Sequence, residues 1–183
     1  MRAWVRPDVS GVEPQELLEL SNRASNFMDY RLSVIGLDWM CLVAGCEADG
    51  EGDIMLKVAQ VGLGWWGAQV TKVLQGSEKI EVICGVDPAE PIAAKYTAEF
   101  GLPVYSDYAE ALEDPAVEGV ILTIPHRLHE SMLLQAVAAG KQVFCEKPLS
   151  LDVASARRMI QACDDAGVVM GIGHERRFEP ALS

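Results

Sequence analysis

The sequence is short of positive charge: 15 Lys and Arg stand against 27 Asp and Glu, a formal net charge of -12 over 183 residues. No local basic patch offsets this, so attraction to DNA, RNA or an anionic membrane surface is not expected. Any anionic ligand must be held by local geometry. Cysteine is sparse and odd in number, and Cys41, Cys46, Cys84, Cys145 and Cys163 include no C-x-x-C pair. Three of them lie inside apolar runs, and the set predicts reduced, buried thiols instead of a disulfide framework. No uninterrupted apolar run reaches the ~20 residues that a membrane-spanning helix needs. The expected compartment is the cytoplasm.

What is present is the profile of an ordinary globular domain, 50% apolar and 23% charged, enough for one sizeable core. The chain divides at "CEADGEGDIM". Residues 1–54 carry four Arg against ten acidic residues and show no sustained periodicity, although "VEPQELLELSNRA" can form a marginal amphipathic helix. "RLSVIGLDWMCLVAGC" (Arg31 to Cys46) looks like a lipoprotein-type leader, but Asp38 interrupts its apolar stretch and it lies far from Met1. The expectation for residues 1–54 is a poorly structured extension, or upstream sequence read from a start placed too early.

From Met55 onward, strands and helices alternate through short loops, which predicts an α/β domain with a doubly wound parallel sheet. "LKVAQV", "KIEVICGVD", "VYS", "VEGVILTIP", "KQVFCEKP" and "VVMGIGHERRF" read as six strands. The helices between them carry Pro91 in a first turn and stops at Gly101 and Gly140, with Ser106 and Ser150 as expected N-caps.

Gly62, Gly64 and Gly67 in "VGLGWWG" match G-x-G-x-x-G directly after the first strand. The first glycine permits a tight turn, the second leaves room for a pyrophosphate, and the third lets helix approach strand. The helix beginning near Trp66 aims its free N–H groups and positive dipole end at that loop. Asp87 ends the second strand 20 residues past Gly67, placed to accept hydrogen bonds from ribose hydroxyls and to repel a 2′-phosphate. That favours NAD over NADP. Asp-Pro is also a turn signal, and Trp65 and Trp66 suit either a cover over a dinucleotide or apolar packing. A loop of this kind also serves S-adenosylmethionine, and the glycines alone do not separate the two.

"TIPHRLHE" and "EKP" close the fourth and fifth strands, where ligands of open α/β sheets bind. Thr123, Pro125, His126, Glu146 and Lys147 are therefore expected around one cleft. His126 and His129 form H-x-x-H, but no third ligand of matching type is close in sequence, and no metal site is expected. With "VGLGWWG", "GVDP", "TIPHRLH", "AGKQVFCEKPLS" and "RRFEP", the stretch from about Met55 to Pro180 resembles the N-terminal domain of Gfo/Idh/MocA oxidoreductases.

That resemblance implies a Rossmann domain binding NAD(P) and a redox reaction on a secondary alcohol of a sugar or cyclic polyol. It places Lys147 by the nicotinamide ribose and the substrate hydroxyl as the one catalytic group in this stretch. Coenzyme contacts are implied for Gly62, Leu63, Gly64, Trp65, Trp66, Gly67, Asp87, Thr123, Pro125, His126, Glu146 and Lys147. His126 stands where the family often has Asn, and Pro148 is expected to follow a cis bond. His129 is expected to be buried at a helix start, fixing a loop, while His174, Arg176 and Arg177 receive no chemical task. The family continues into a second α/β domain that supplies most of the substrate pocket and the general base. Its absence here implies a chain that binds nucleotide but turns over feebly alone, with an exposed apolar sheet surface inviting homo-oligomers. The alternative is a non-catalytic nucleotide-binding module or sensor subunit.

Overall fold

The computed structural model describes residues 55–173. Readings that fall on residues 1–54 or 174–183, including the leader-like stretch, Cys41, Cys46, His174, Arg176 and Arg177, lie outside the described residues.

Six strands alternate with helices in chain order. β1 is Leu56–Val61, α1 Trp65–Leu74, β2 Ile80–Val86, α2 Glu90–Phe100, β3 Val104–Tyr105 and α3 Tyr108–Glu113. β4 is Gly119–Leu122, followed by a 3-10 turn at His126–Leu128, α4 His129–Ala138, β5 Gln142–Glu146, α5 Val153–Ala166 and β6 Met170–Gly173. All pairings are parallel and the strand order is β3-β2-β1-β4-β5-β6. Parallel strands need crossovers that cover both faces, so their apolar runs are buried on both sides.

One face packs Ala59, Val61, Val120, Leu122, Val143 and Cys145 against Leu133 and Met159 of α4 and α5. The other packs Leu56, Val58, Ile121 and Phe144 against Val70 and Leu74 of α1. Among the described residues no strand carries a large exposed apolar side chain, contrary to the expected exposed apolar sheet. Large exposed apolar groups sit on helices and loops instead, at Trp65, Leu151 and Val153 among others. One extra residue in β2 shifts the register between Val58 and Ala59, so Val58 faces Val82 and Ala59 faces Cys84. The shift turns Cys84 and Val86 toward the α3–α5 side.

Helix ends follow local chemistry. Gly101 and Gly167 close α2 and α5 in the left-handed region at φ 72° and 67°. Two expected caps move to the neighbouring acid. Asp107 rather than Ser106 caps α3, accepting from the Ala109 N–H at 2.9 Å. Asp152 rather than Ser150 caps α5, accepting from the Ser155 N–H at 2.8 Å, while Ser150 Oγ donates to the Asp152 carbonyl at 2.6 Å. A carboxylate makes the stronger acceptor for an N–H and also complements the helix dipole.

Cys84, Cys145 and Cys163 are free and buried, as expected. Burial pushes these thiols from 9.0 up to about 11, 12 and 11, respectively. Between pH 9 and those values the unfolded chain releases protons that the folded chain retains, so stability falls as pH rises through that window. Alkylation of the native chain followed by peptide mapping is expected to leave all three unmodified, and denaturant titrations should show the alkaline decline.

Candidate functional site

The strand register brings the carboxyl ends of five strands level. Val86 pairs with Val61, Val61 with Leu122, Leu122 with Cys145, and Cys145 with Ile172. The next residue on each strand therefore falls in one row: Asp87, Gly62, Thr123, Glu146 and Gly173. At about 4.8 Å between neighbours, Asp87 and Glu146 stand roughly 14 Å apart along it. The chain leaves β1 toward β2 on one side, while β4 lies on the other. The row thus crosses the switch point, where open α/β sheets form their ligand crevice.

The three glycines of the loop differ in what holds them. Gly62 has φ +84°, and a Cβ there would stand 2.5 Å from the Thr123 carbonyl oxygen. At Gly67 a Cβ would fall 1.9 Å from the Gly62 carbonyl oxygen, so α1 seats directly on the loop. Gly64 is different: its φ of -61° suits any residue, and a Cβ would meet nothing within 4 Å. The fold itself asks for glycine at 62 and 67 and not at 64, which faces open space beside the helix start.

Gly64 is also the N-cap of α1, with no side-chain cap and no acidic residue in the first turn. The first-turn N–H groups thus remain available to an anion, a placement worth about 0.3–2 kcal/mol. Leu63 turns its side chain inward, buried against Gly85, and its N–H donates to Asp87 Oδ2 at 3.0 Å. Asp87 Oδ1 accepts from the Ala89 N–H at 2.9 Å. Asp87 is therefore both the turn residue and a brace on the glycine loop, and each carboxylate oxygen keeps capacity for a further donor. Trp65 is 75% exposed, which removes internal packing as its task, and Trp66 is 37% exposed with its ring centroid 5.7 Å away. An open face at Gly64, unclaimed first-turn amides and a carboxylate at the end of β2 fit a dinucleotide.

On the other half of the row, the Thr123 hydroxyl donates toward the Gly62 carbonyl at 2.7 Å and the Val61 carbonyl at 3.1 Å. Pro125 and His126 follow, both exposed, Pro125 as the N-cap and His126 as the first residue of the 3-10 turn. His129 is buried, with Nδ1 3.0 Å from the Pro148 carbonyl and Nε2 3.1 Å from the Ile124 carbonyl. It joins the exits of β4 and β5, the loop-fixing task expected of it, and both ring nitrogens face carbonyl oxygens. Glu146 leans over Gly173, where a Cβ would lie 2.6 Å from Oε1, and Glu146 Oε2 accepts from the Lys147 N–H at 3.2 Å. The Lys147–Pro148 bond is cis, and both residues are exposed.

Residues 56–174 match the profile of the Gfo/Idh/MocA oxidoreductase family, NAD-binding Rossmann fold. The chain belongs to this family. An uncharacterized oxidoreductase of Streptococcus pneumoniae serotype 4 is 35% identical over 126 residues, 68% of this chain and 33% of that protein. The scyllo-inositol 2-dehydrogenase (NAD(+)) of Bacillus subtilis strain 168 is 34% identical over 70% of this chain and 38% of its own length. GenD2 from gentamicin A biosynthesis, solved in complex with NAD, is 34% identical with a TM-score of 0.63, over 68% of this chain and 36% of its own. The match thus covers between 33% and 38% of the length of these relatives, and the matched part is the family's NAD-binding domain.

Sequence reasoning missed Gln60 and Thr71, the buried polar groups beneath the loop. Thr71 Oγ1 donates to the Gly67 carbonyl at 3.1 Å and meets Tyr96 Oη at 2.6 Å, tying α2 to α1. Gln60 is a single polar letter within VAQV, and Thr71 sits between Gln69 and Lys72 in a mixed helix, so neither was marked as buried. A groove of about 290 Å³ lined by Leu74, Ile80, Val82 and Phe100 lies instead at the amino ends of the strands, away from this row.

The glycines can be separated experimentally. Gly67→Ala is expected to destabilise the fold by about 3 kcal/mol or more, because backbone must move. Gly64→Ala should leave the denaturation midpoint within about 0.5 kcal/mol of the parent yet weaken NADH binding at least about tenfold by blocking backbone approach. Chemical denaturation and fluorescence titration of both variants check this.

Proposed function

We propose that this chain supplies the coenzyme half of an NAD-dependent oxidoreductase acting on a secondary alcohol of a sugar or cyclic polyol. The observation that carries it is Gly64, a glycine the fold does not require, at the open start of α1 and two residues past Gly62 in the row that holds Asp87. On this reading the first-turn amides of Gly64, Trp65 and Trp66 hold the pyrophosphate, while Gly62, Leu63 and Gly67 shape the loop. The free capacity of the Asp87 carboxylate takes the adenosine ribose hydroxyls. Trp65 and Trp66 cover the bound dinucleotide from the solvent side.

Thr123, Pro125 and His126 line the nicotinamide half, where the imidazole can donate or accept one hydrogen bond. Glu146 positions the neighbouring ribose. When bound, nicotinamide supplies the hydride-accepting carbon, so the protein need only orient the alcohol and take its proton. On this reading Lys147, exposed at the end of β5, assists loss of that proton from the hydroxyl, and the general base comes from the family's second domain. The B. subtilis relative acts on an inositol, which fits a cyclic polyol as the substrate class.

A second reading, a nucleotide-binding module without turnover, is favoured by one finding: the match covers only 33% and 38% of the first two relatives. Titration of the full chain with NADH and NADPH, followed by NAD reduction over a panel of inositols and sugars, separates the readings. Asp87 beside a 2′-phosphate predicts NADH binding at least about tenfold tighter than NADPH, a gap that Asp87→Ser should narrow. Equal affinity, or none for either, would sink the coenzyme assignment. Binding without reduction selects the module.

A further inference from the structure

We propose that Gln60 is a positioning residue for the glycine loop: through Thr123 it locks the Gly62–Leu63 peptide plane in the orientation that seats α1 and presents its amides. This rests on the coenzyme reading above and concerns a residue that touches no ligand.

Gln60 lies in β1 with no exposed surface, on the face whose other β1 side chains, Leu56 and Val58, are apolar. An aliphatic residue would fill that position without burying an amide. The Gln60 amide is also incompletely satisfied. Its Nε2 lies a long 3.4 Å from the Ile121 carbonyl and 2.8 Å from Thr123 Oγ1, and Oε1 is buried without a partner. A buried unpartnered oxygen lowers stability, so stability is not what the side chain contributes.

Its effect falls on the Thr123 hydroxyl, which has one hydrogen to give. By donating to Oγ1, Gln60 occupies an acceptor site and directs that hydrogen away from itself, toward the Gly62 carbonyl at 2.7 Å. The Gly62 carbonyl oxygen is the atom 1.9 Å from where a Gly67 Cβ would stand, directly under the first turn of α1. On the opposite edge of the same peptide, the Leu63 N–H donates to Asp87 Oδ2 at 3.0 Å. The peptide is thus held at both ends, by Gln60 through Thr123 and by Asp87. Glycine at φ +84° gives the chain freedom to rotate this plane, and the two bonds remove that freedom.

The test uses the full chain with Gln60→Met and Gln60→Leu, which keep the volume and remove the amide. The expected result is a melting temperature equal to or above the parent, NADH affinity reduced about three- to tenfold, and faster hydrogen exchange at the Leu63 amide. Removing the same lock twice should cost little more than once, so Gln60→Leu in a Thr123→Val background should add almost nothing. Parent-like NADH affinity and Leu63 exchange in both Gln60 variants would overturn the proposal. So would affinity and melting temperature falling together, with exchange faster across the whole sheet, since that marks an ordinary core residue. If the parent itself binds no NADH, the coenzyme reading fails, while Leu63 exchange in the ligand-free variants still decides whether the lock exists.

Discussion

The structure turns on one close approach: the first turn of α1 rests on the carbonyl oxygen of Gly62 with no space between them for a Cβ at Gly67. A helix start held that near to a strand end points its unpaired N–H groups into the gap above the strands. The same seating brings α1 onto the sheet face lined by Val58, Ile121 and Phe144. Core packing and ligand geometry are therefore one constraint seen from two sides, because any shift that enlarges the contact also redirects the amides.

Strand register carries that constraint across the domain. Once β1 is placed, parallel pairing fixes β2 and β4 beside it and β5 beside β4. Asp87, Thr123 and Glu146 then reach one row without any loop having to search for position. Loops handle what the row cannot: His129 links the two loops after β4 and β5 through carbonyls of Ile124 and Pro148. Its imidazole acts as a spacer of fixed length between the turn carrying His126 and the turn carrying Lys147.

How far the sequence could be read follows from the range of each determinant. Strand and helix identities, Gly101 as a helix stop and the cis bond before Pro148 were legible because their causes lie within a few residues or in a recognisable motif. The caps were misread by one and two positions, since Ser106 and Asp107, or Ser150 and Asp152, each offer an oxygen at a suitable distance and only the geometry selects the carboxylate. The placement of Trp65 was open in sequence because an indole suits interior and surface alike. Gln60 was illegible because its meaning lies in Ile121 and Thr123, more than 60 residues away.

Burial along the row separates two duties. Leu63, Gly67 and the strand residues beneath them are buried, and Thr123 and Asp87 are half-buried with their bonds directed into the protein. Pro125, His126, Lys147 and Pro148 are exposed at the other end. Groups that must hold a rigid anion gain from fixed positions, because ordering is then complete before the ligand arrives. The described residues are thus fixed at the end of the row that fits a dinucleotide and open at the end that carries His126 and Lys147, so the two ends of one row meet different physical demands.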